Sequence, residues 1–333
     1  TIALSGSGGS SAAHAGRLNV LLMGGDSGAG RWGLRPDSMT VASIDVETGR
    51  TVLVALPRNM ADFPFREGSI MAEQFPRGFD CEGCYLNGVS TWAQDNVELF
   101  PGSENPGVDA TIMGIEGITG LRINYWAMVN LQGFKDLVDA VGGVTLTVRQ
   151  PIPVGGLGSD VTGYIDPGTR KLDGFETLWY ARAREGSDDY SRMARQKCVM
   201  NAMLSQISPQ TVISNFSQLA SASAAMISTN VPASDFDSLA ELALKARGQK
   251  MSTVSLVPPM VVTADPDIDQ VQAMVADAIA RAEGTAPDPE PTTKKQRRRQ
   301  AAAAETQGVT GGSLGSLSEG YAANQAEDLS TSC

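Results

Sequence analysis

This chain of 333 residues holds one histidine, His14, and four cysteines, and 6% of its residues are aromatic. A single histidine inside a Gly/Ser/Ala-rich opening leaves no residue to serve as the base of a Ser-His hydrolase. It also leaves Cys81-Glu82-Gly83-Cys84 without a second C-x-x-C or a histidine pair to complete a zinc site. Nowhere does an apolar run approach the roughly 18 residues that a membrane-spanning helix needs. Positive charge is in deficit, with 26 Lys and Arg against 37 Asp and Glu, a net charge of -11. A pI near 4.7 without a basic helix-turn-helix weighs against nucleic acid as a partner. GGDSGAG, residues 24–30, lacks the Gly-Lys-[Ser/Thr] that would end a nucleotide loop.

Against that acidic background, one stretch concentrates cations. Leu172 to Lys197, LDGFETLWYARAREGSDDYSRMARQK, carries Arg182, Arg184, Arg192, Arg195 and Lys197. Asp173 is placed to cap a helix through Tyr180, and a second helix starts near Asp189. Arg182 and Arg184 then fall on the intervening turn, and Arg192 and Arg195, three apart, share a face. Converging guanidinium forks suit an anion rich in oxygens, phosphate or pyrophosphate above all. The plainer account is a solvated surface with Glu185, Asp188 and Asp189 as partners.

Along the chain, residues 1–17 read as a small, polar, flexible linker. LNVLLMG, from Leu18, is a short apolar run before a Gly-rich turn and predicts a buried strand, which puts Asp26 just past its C-terminal end. A loop with Arg31, Arg35 and Asp37 leads to strands at Met39–Ile44 and Thr51–Leu56, joined by a tight turn, and Arg58 follows the second. Asp26 and Asp37 are hard oxygen ligands suited to Mg²⁺ or Mn²⁺, and Arg35 and Arg58 could grip the same phosphates; a hairpin loop with its acids capping turns is the alternative. Residues 60–84, with four phenylalanines and no period, predict an excursion over the mouth of the site and not a core element. Helices are expected near Val89–Val97, Val108–Leu121, Leu131–Val141, from Pro209 to about Ile227, from a cap at Ser234 or Asp235 through Ala246, and over Asp267–Ala282. Further strands are expected at Ile123–Val129, Val144–Val148 and Thr253–Val257. Beyond Gly284 no hydrophobic period is usable, which predicts a mobile tail over 284–333; its basic run Lys294–Arg299 could touch anionic lipid or wall polymer. The expected architecture is a single α/β domain, a three-layer α/β/α sandwich with a central mixed sheet, over residues 18–283.

The spacing Y-x-R-x-R, an acidic spacer, then D-x-x-R-x-x-R-Q (Tyr180, Arg182, Arg184, Asp189, Arg192, Arg195, Gln196) resembles the signature of the LytR-CpsA-Psr (LCP) family of cell-wall phosphotransferases. Two further blocks resemble that family in order and spacing: NVLLMGGDSGAGRWGLRPDSMTVASIDVETGRTVLVALPRNM and YWAMVNLQGFKDLVDAVGGVTLTV. The resemblance implies transfer of a glycan phosphate from a polyprenyl-pyrophosphate carrier to a hydroxyl of peptidoglycan or of a surface protein. It implies work at the extracytoplasmic face of a bacterial membrane, with an N-terminal anchor preceding this sequence. It puts Arg58, Arg182, Arg184 and Asp189 at the reaction, Arg31, Arg35, Arg192, Arg195 and Gln196 around the substrate, and Asp26 and Asp37 on Mg²⁺ or Mn²⁺. Asp189 could orient Arg192 or act as base. Gly28 and Asn59 depart from the family pattern, which often has Arg shortly after the first Asp and usually reads P-R-D. Outside the cell, an even number of cysteines favours pairing: Cys81 with Cys84 locally, and Cys198 with Cys333, tying the tail to the arginine helix. A non-catalytic module that binds phosphoglycan or polyprenyl pyrophosphate is the alternative, separable by Mg²⁺-dependent turnover.

Overall fold

The computed structural model describes residues 16–25, 35–156, 158–184, 187–206, 227–288, 293–309, 324–331 and 333. A central sheet of six strands runs in the order β10-β3-β2-β1-β4-β9. Its strands are β1 (Arg17–Gly25), β2 (Pro36–Asp45), β3 (Thr51–Leu56), β4 (Tyr125–Asn130), β9 (Ile227–Thr229) and β10 (Met251–Ser255). β2 lies antiparallel to both β1 and β3, whereas β1 with β4 and β3 with β10 are parallel. The tight turn between β2 and β3 forces the antiparallel pairing: Asp45 Oδ1 accepts from the backbone N–H of Glu47 and Thr48, and Gly49 adopts a φ of +76°. Any Cβ at position 49 would also sit 2.7 Å from backbone atoms of residues 245–246.

Alternation along the strands gives the sheet two apolar faces. Leu21, Met23, Val41, Val52 and Val54 point to one, where they meet helices α3 (Pro106–Thr119) and α8 (Ile268–Glu283). On the other side, Leu18 meets Leu242 of α7 (Phe236–Arg247), and Ala42 and Leu53 face Met200 of α6 (Asp189–Gln206). Three layers result, α/β/α about a mixed sheet. A satellite core joins α4 (Leu131–Ala140), α5 (Gly174–Arg182) and α6 to two ribbons. These ribbons are β5 (Val144–Val148) with β8 (Gly168–Leu172) and β6 (Ile152–Gly155) with β7 (Val161–Ile165). Among the described residues no helix is long and apolar enough to cross a membrane.

Two segments differ from expectation. Residues 60–84, which include α1 (Ile70–Gln74), belong to the main core: Met60, Phe63 and Met71 are fully buried. Phe63, Phe65, Phe75 and Phe79 meet one another edge-on or tilted, with centroids 5.0–5.8 Å apart. Aromatic rings can make a core by clustering in three dimensions, without any period along the chain. The segment then leads to α2 (Val89–Asp95). Beyond Gly284, an element stands where a featureless tail is expected: α9 (Lys294–Glu305) starts with a Thr293–Gln296 capping box and buries Ala301 and Ala304. Its apolar stripe consists only of alanines, good helix formers that contribute little hydrophobic signal. The expected helix from Pro209 and residues 1–15 of the expected linker lie outside the described residues, whereas Arg17, also expected in the linker, is buried and opens β1.

Candidate functional site

The ends of β2 and β3 and the start of α6 meet at one point. Asp37 is the second residue of β2, Arg58 follows the Leu56 end of β3 by two, and Asp189 opens α6. Arg58 spans the two acids: its Nη1 donates to Asp37 Oδ1 at 2.7 Å and its Nε to Asp189 Oδ2 at 3.2 Å. Asp189 also faces Arg184 Nε at 3.0 Å and Arg192 Nη2 at 3.7 Å. Three guanidinium groups thus gather around two carboxylates. Burial alone would raise the Asp37 carboxyl, but the hydrogen bond and charge of Arg58, with Arg192 and Asn87 helping, hold it below the usual range. Burial pushes Arg192 down to about 10, so it stays cationic at neutral pH.

Arg192 is 5% exposed; its Nη2 donates to Asp37 O at 3.3 Å, and its Nε has no hydrogen-bond partner. A buried, unpartnered donor on a cation is costly unless an acceptor arrives. Below these groups lies a cleft between β2, β3 and α6. Asp37, Arg58 and Arg192 line it together with the apolar Met39, Leu56 and Met200 and the polar Thr40, Gln196, Lys197 and Thr253. The arrangement suits an amphiphile with an anionic head and a hydrocarbon chain.

Arg195, Arg182 and Arg35 have other surroundings. Arg195 is fully buried; its guanidinium donates to the Ala183 carbonyl, which fastens the turn after α5 onto α6. Gln196 Nε2 makes a 3.4 Å contact to Ala181 O beside it, while its side chain lines the cleft. Arg182 closes α5 and stacks over Trp179 at 5.1 Å, on the helix end where a turn is expected. Arg35 is exposed at the start of β2. Neither Arg182 nor Arg35 lines the cleft. Asp26 and Arg31 lie outside the described residues. Asn59, the departure from P-R-D, keeps a buried Oδ1 without a hydrogen-bond partner. Cys81 is bonded to Cys84 and Cys198 to Cys333.

Two residues of the site escape the sequence reading. Asn87, 2% exposed, donates from Nδ2 to Asp37 Oδ1 at 3.3 Å and thereby fixes that carboxylate beside Arg58. Its signal in the sequence is Tyr85-Leu86-Asn87, which resembles the LCP family's K-[IL]-N step; Leu86 N donates to Met60 O and Asn87 N to Arg58 O, which ties this step to the backbone after β3. Lys197, part of the charge run, is buried under the C-terminal segment and lines the cleft. Among the described residues no group of three metal-ligating side chains forms. A cation here would need oxygens from the substrate as well as Asp37, the pattern expected of Mg²⁺ at phosphates.

The three-layer α/β fold thus places clustered guanidinium groups beside a cleft between the sheet and α6. The LytR_cpsA_psr family model matches residues 3–279, and the chain belongs to that family. It is 28% identical over 222 residues to "Biofilm regulatory protein A" of Streptococcus mutans, covering 64% of this chain and 50% of that protein. It is 27% identical over 236 residues to the polyisoprenyl-teichoic acid–peptidoglycan teichoic acid transferase TagU of Enterococcus faecalis, covering 69% of this chain and 66% of TagU. With "Probable cell wall biosynthesis protein LcpB" of Corynebacterium glutamicum it shares 29% over 255 residues, 74% of this chain and 51% of LcpB. The chain spans about half the length of the first curated relatives it matches. Among solved structures, protein gbs0355 of Streptococcus agalactiae superposes with a TM-score of 0.61 at 22% identity, over 83% of this chain and 91% of that one. TagT bound to LI-WTA gives 0.55 at 18%, over 85% and 100%. At such identities these two likenesses speak for the fold.

Proposed function

We propose that this protein transfers a glycan phosphate from a polyprenyl-pyrophosphate carrier to an acceptor hydroxyl in the cell wall or on a surface protein. The single observation that carries the reading is the gathering of Arg58, Arg184 and Arg192 with Asp37 and Asp189, of which Asp37, Arg58 and Arg192 line a cleft shared with Met39, Leu56 and Met200. The names of its relatives, teichoic acid transferases among them, support the same class of reaction. In this reading the prenyl chain lies in the cleft and the pyrophosphate sits on the guanidinium groups. The acceptor hydroxyl gives up its proton to solvent as its oxygen forms a new bond to the phosphorus of the glycan phosphate. The bond from that phosphorus to the bridging oxygen breaks, and prenyl phosphate leaves with the electron pair. Charge spreads over the phosphoryl oxygens as this happens, so catalysis is mostly positioning and electrostatic stabilisation.

Arg192 brings its unpartnered Nε to the phosphate oxygens, and Arg58 holds its fork in place through two carboxylates. Asp189, facing three guanidinium groups, acts as their orienting anion. Asp37, with Asp26 beyond the described residues, would hold Mg²⁺ or Mn²⁺, which supplies charge neutralisation at the pyrophosphate. We place the reaction at the outer face of the membrane, where a lipid-linked glycan meets the wall.

The test is Arg58→Lys, which keeps the charge but removes the fork that joins Asp37 to Asp189. Release of prenyl phosphate from a lipid-linked glycan should fall by about a hundredfold, while the melting curve stays close to wild type. Excess EDTA should depress the wild-type rate, whereas a module that only binds would release nothing under either condition. Arg58→Lys turning over at the wild-type rate sinks this assignment.

A further inference from the structure

The family match ends at residue 279, yet the wall of the cleft continues beyond it. After α8 the chain folds back over α6. Ala301 and Ala304 of α9, with Val309, cover Tyr190 and Met193. Residues 324–331 then run beside β10: Thr253 N donates to Glu327 O at 2.7 Å, and Ser252 forms an antiparallel bridge with Asp328. Asn324 Nδ2 donates to Tyr190 O at 2.7 Å, and Lys197 Nζ donates to the carbonyls of Asn324 and Ala326 at 3.2 Å. The last residue is bonded to Cys198, and Arg149 donates to its carbonyl at 2.6 Å.

These fastenings present one apolar side chain to the cleft. Leu329, 2% exposed, packs with Ala42, Leu53 and Met200 and lines the same cavity as Asp37, Arg58 and Arg192. The cavity's free space is about 30 Å³, room for about one water. A hydrocarbon chain therefore enters only by moving side chains aside. Met39, Met193 and Met200 are unbranched and adapt readily. Leu329 is branched, and it is the cleft residue contributed from beyond the family match, on a segment fixed to both β10 and α6.

We propose that Leu329 is a specificity-determining residue: it closes the inner end of the prenyl groove, so the C-terminal segment of this chain sets how many isoprene units the cleft accepts. This rests on reading the cleft as the carrier's site. Dissociation constants of a homologous series of prenyl pyrophosphates, from geranyl to undecaprenyl, should be compared for the full chain, Leu329→Ala and Leu329→Phe. The alanine variant should move the preferred length up by at least one isoprene unit and bind the longer members roughly tenfold more tightly, through the apolar surface newly buried. The phenylalanine variant should move it down, a direction that a merely loosened segment cannot produce. If wild type and both variants rank the series identically while binding it, the length stop is wrong and the phosphotransfer reading stands. If none of the three proteins binds any member, both fall together.

Discussion

Arg58 joins residues that the chain keeps far apart: Asp37 is 21 positions before it and Asp189 131 after it. Its partners are themselves set by smaller contacts, and Asn87 is the one with the clearest consequence. Asn87→Ala should leave Asp37 held by Arg58 alone and let the carboxylate swing, lowering transfer by about tenfold with little change in melting temperature. Steady-state release of prenyl phosphate checks this, and unchanged kinetics would remove Asn87 from the site. Lys197 makes a different prediction. Burial pushes its ammonium from the ordinary 10.5 down to about 7, with the Ser255 hydroxyl and the carbonyls of Asn324 and Ala326 among its partners. Between those values the unfolded chain holds a proton that the folded one has shed, so this residue makes stability rise with pH, and below about 7 its full cost is present. Wild type should gain stability over Lys197→Met from pH 7 to 9.5 in paired denaturation curves. A constant difference would mean that the ammonium is paired in the fold. The role of Lys197 was not legible in the sequence, where it reads as one more member of a basic run, and Asn87 stood out only through a likeness to the family's K-[IL]-N step; burial separates both from their neighbours.

Helix boundaries were the most legible elements, because capping chemistry is local. Asp173 accepts from Glu176 N at 2.8 Å in a full capping box, and Asp267 accepts from Gln270 N, both where the sequence puts a start. The turn between β2 and β3, and hence the antiparallel core of the sheet, was legible for the same reason. Residues 60–84 were not, since their rings find one another across turns that no period records. Their seat on α3 is a glycine. A Cβ at Gly117 would lie 2.2 Å from Pro64 O and 2.7 Å from Phe65 C, so the helix and the aromatic segment touch backbone to backbone. Gly117→Ala should therefore cost about 3 kcal/mol or more, against the small gain alanine brings to an exposed helix. Urea unfolding measures it, and a neutral or stabilising result would show that the segment can lift away freely. Arg195 illustrates the other limit: its spacing from Arg192 is that of a shared face, but the face turns inward, and its guanidinium fastens the α5–α6 turn.

For the molecule as a whole, the two disulfides differ by the length of chain each closes. Cys81 and Cys84 are 3 apart and Cys198 and Cys333 are 135 apart. In the chain-entropy view the longer closure stabilises by roughly 4 to 5 kcal/mol and the shorter by about 2 or less. Changing Cys198 and Cys333 together to Ser should then lower the melting temperature several-fold more than the same change at Cys81 and Cys84. Equal shifts would mean that the C-terminal segment holds its place without the bond. The pairing itself could be inferred by elimination from four cysteines; what the tail does between them could not, because its helix is written in alanine and its contacts are mostly backbone.

The opposite end of the sheet carries its own consequence. Arg17 opens β1 and bonds Glu283 at the close of α8, with Ser43 and the Arg50 carbonyl as further acceptors, so the chain enters the domain at the end of β1 remote from Gly25 and the arginines. Nine residues of strand separate the two, roughly 30 Å at the usual rise. A protein immobilised through residues preceding Arg17 would hang from its far pole with the cleft facing outward, a ready-made handle for surface plasmon resonance or single-molecule pulling that leaves the reacting end untouched. At Cys333 the geometry is the reverse: it is bonded to Cys198 on the helix that bears Asp189 and Arg192, so a label attached there would report on that helix.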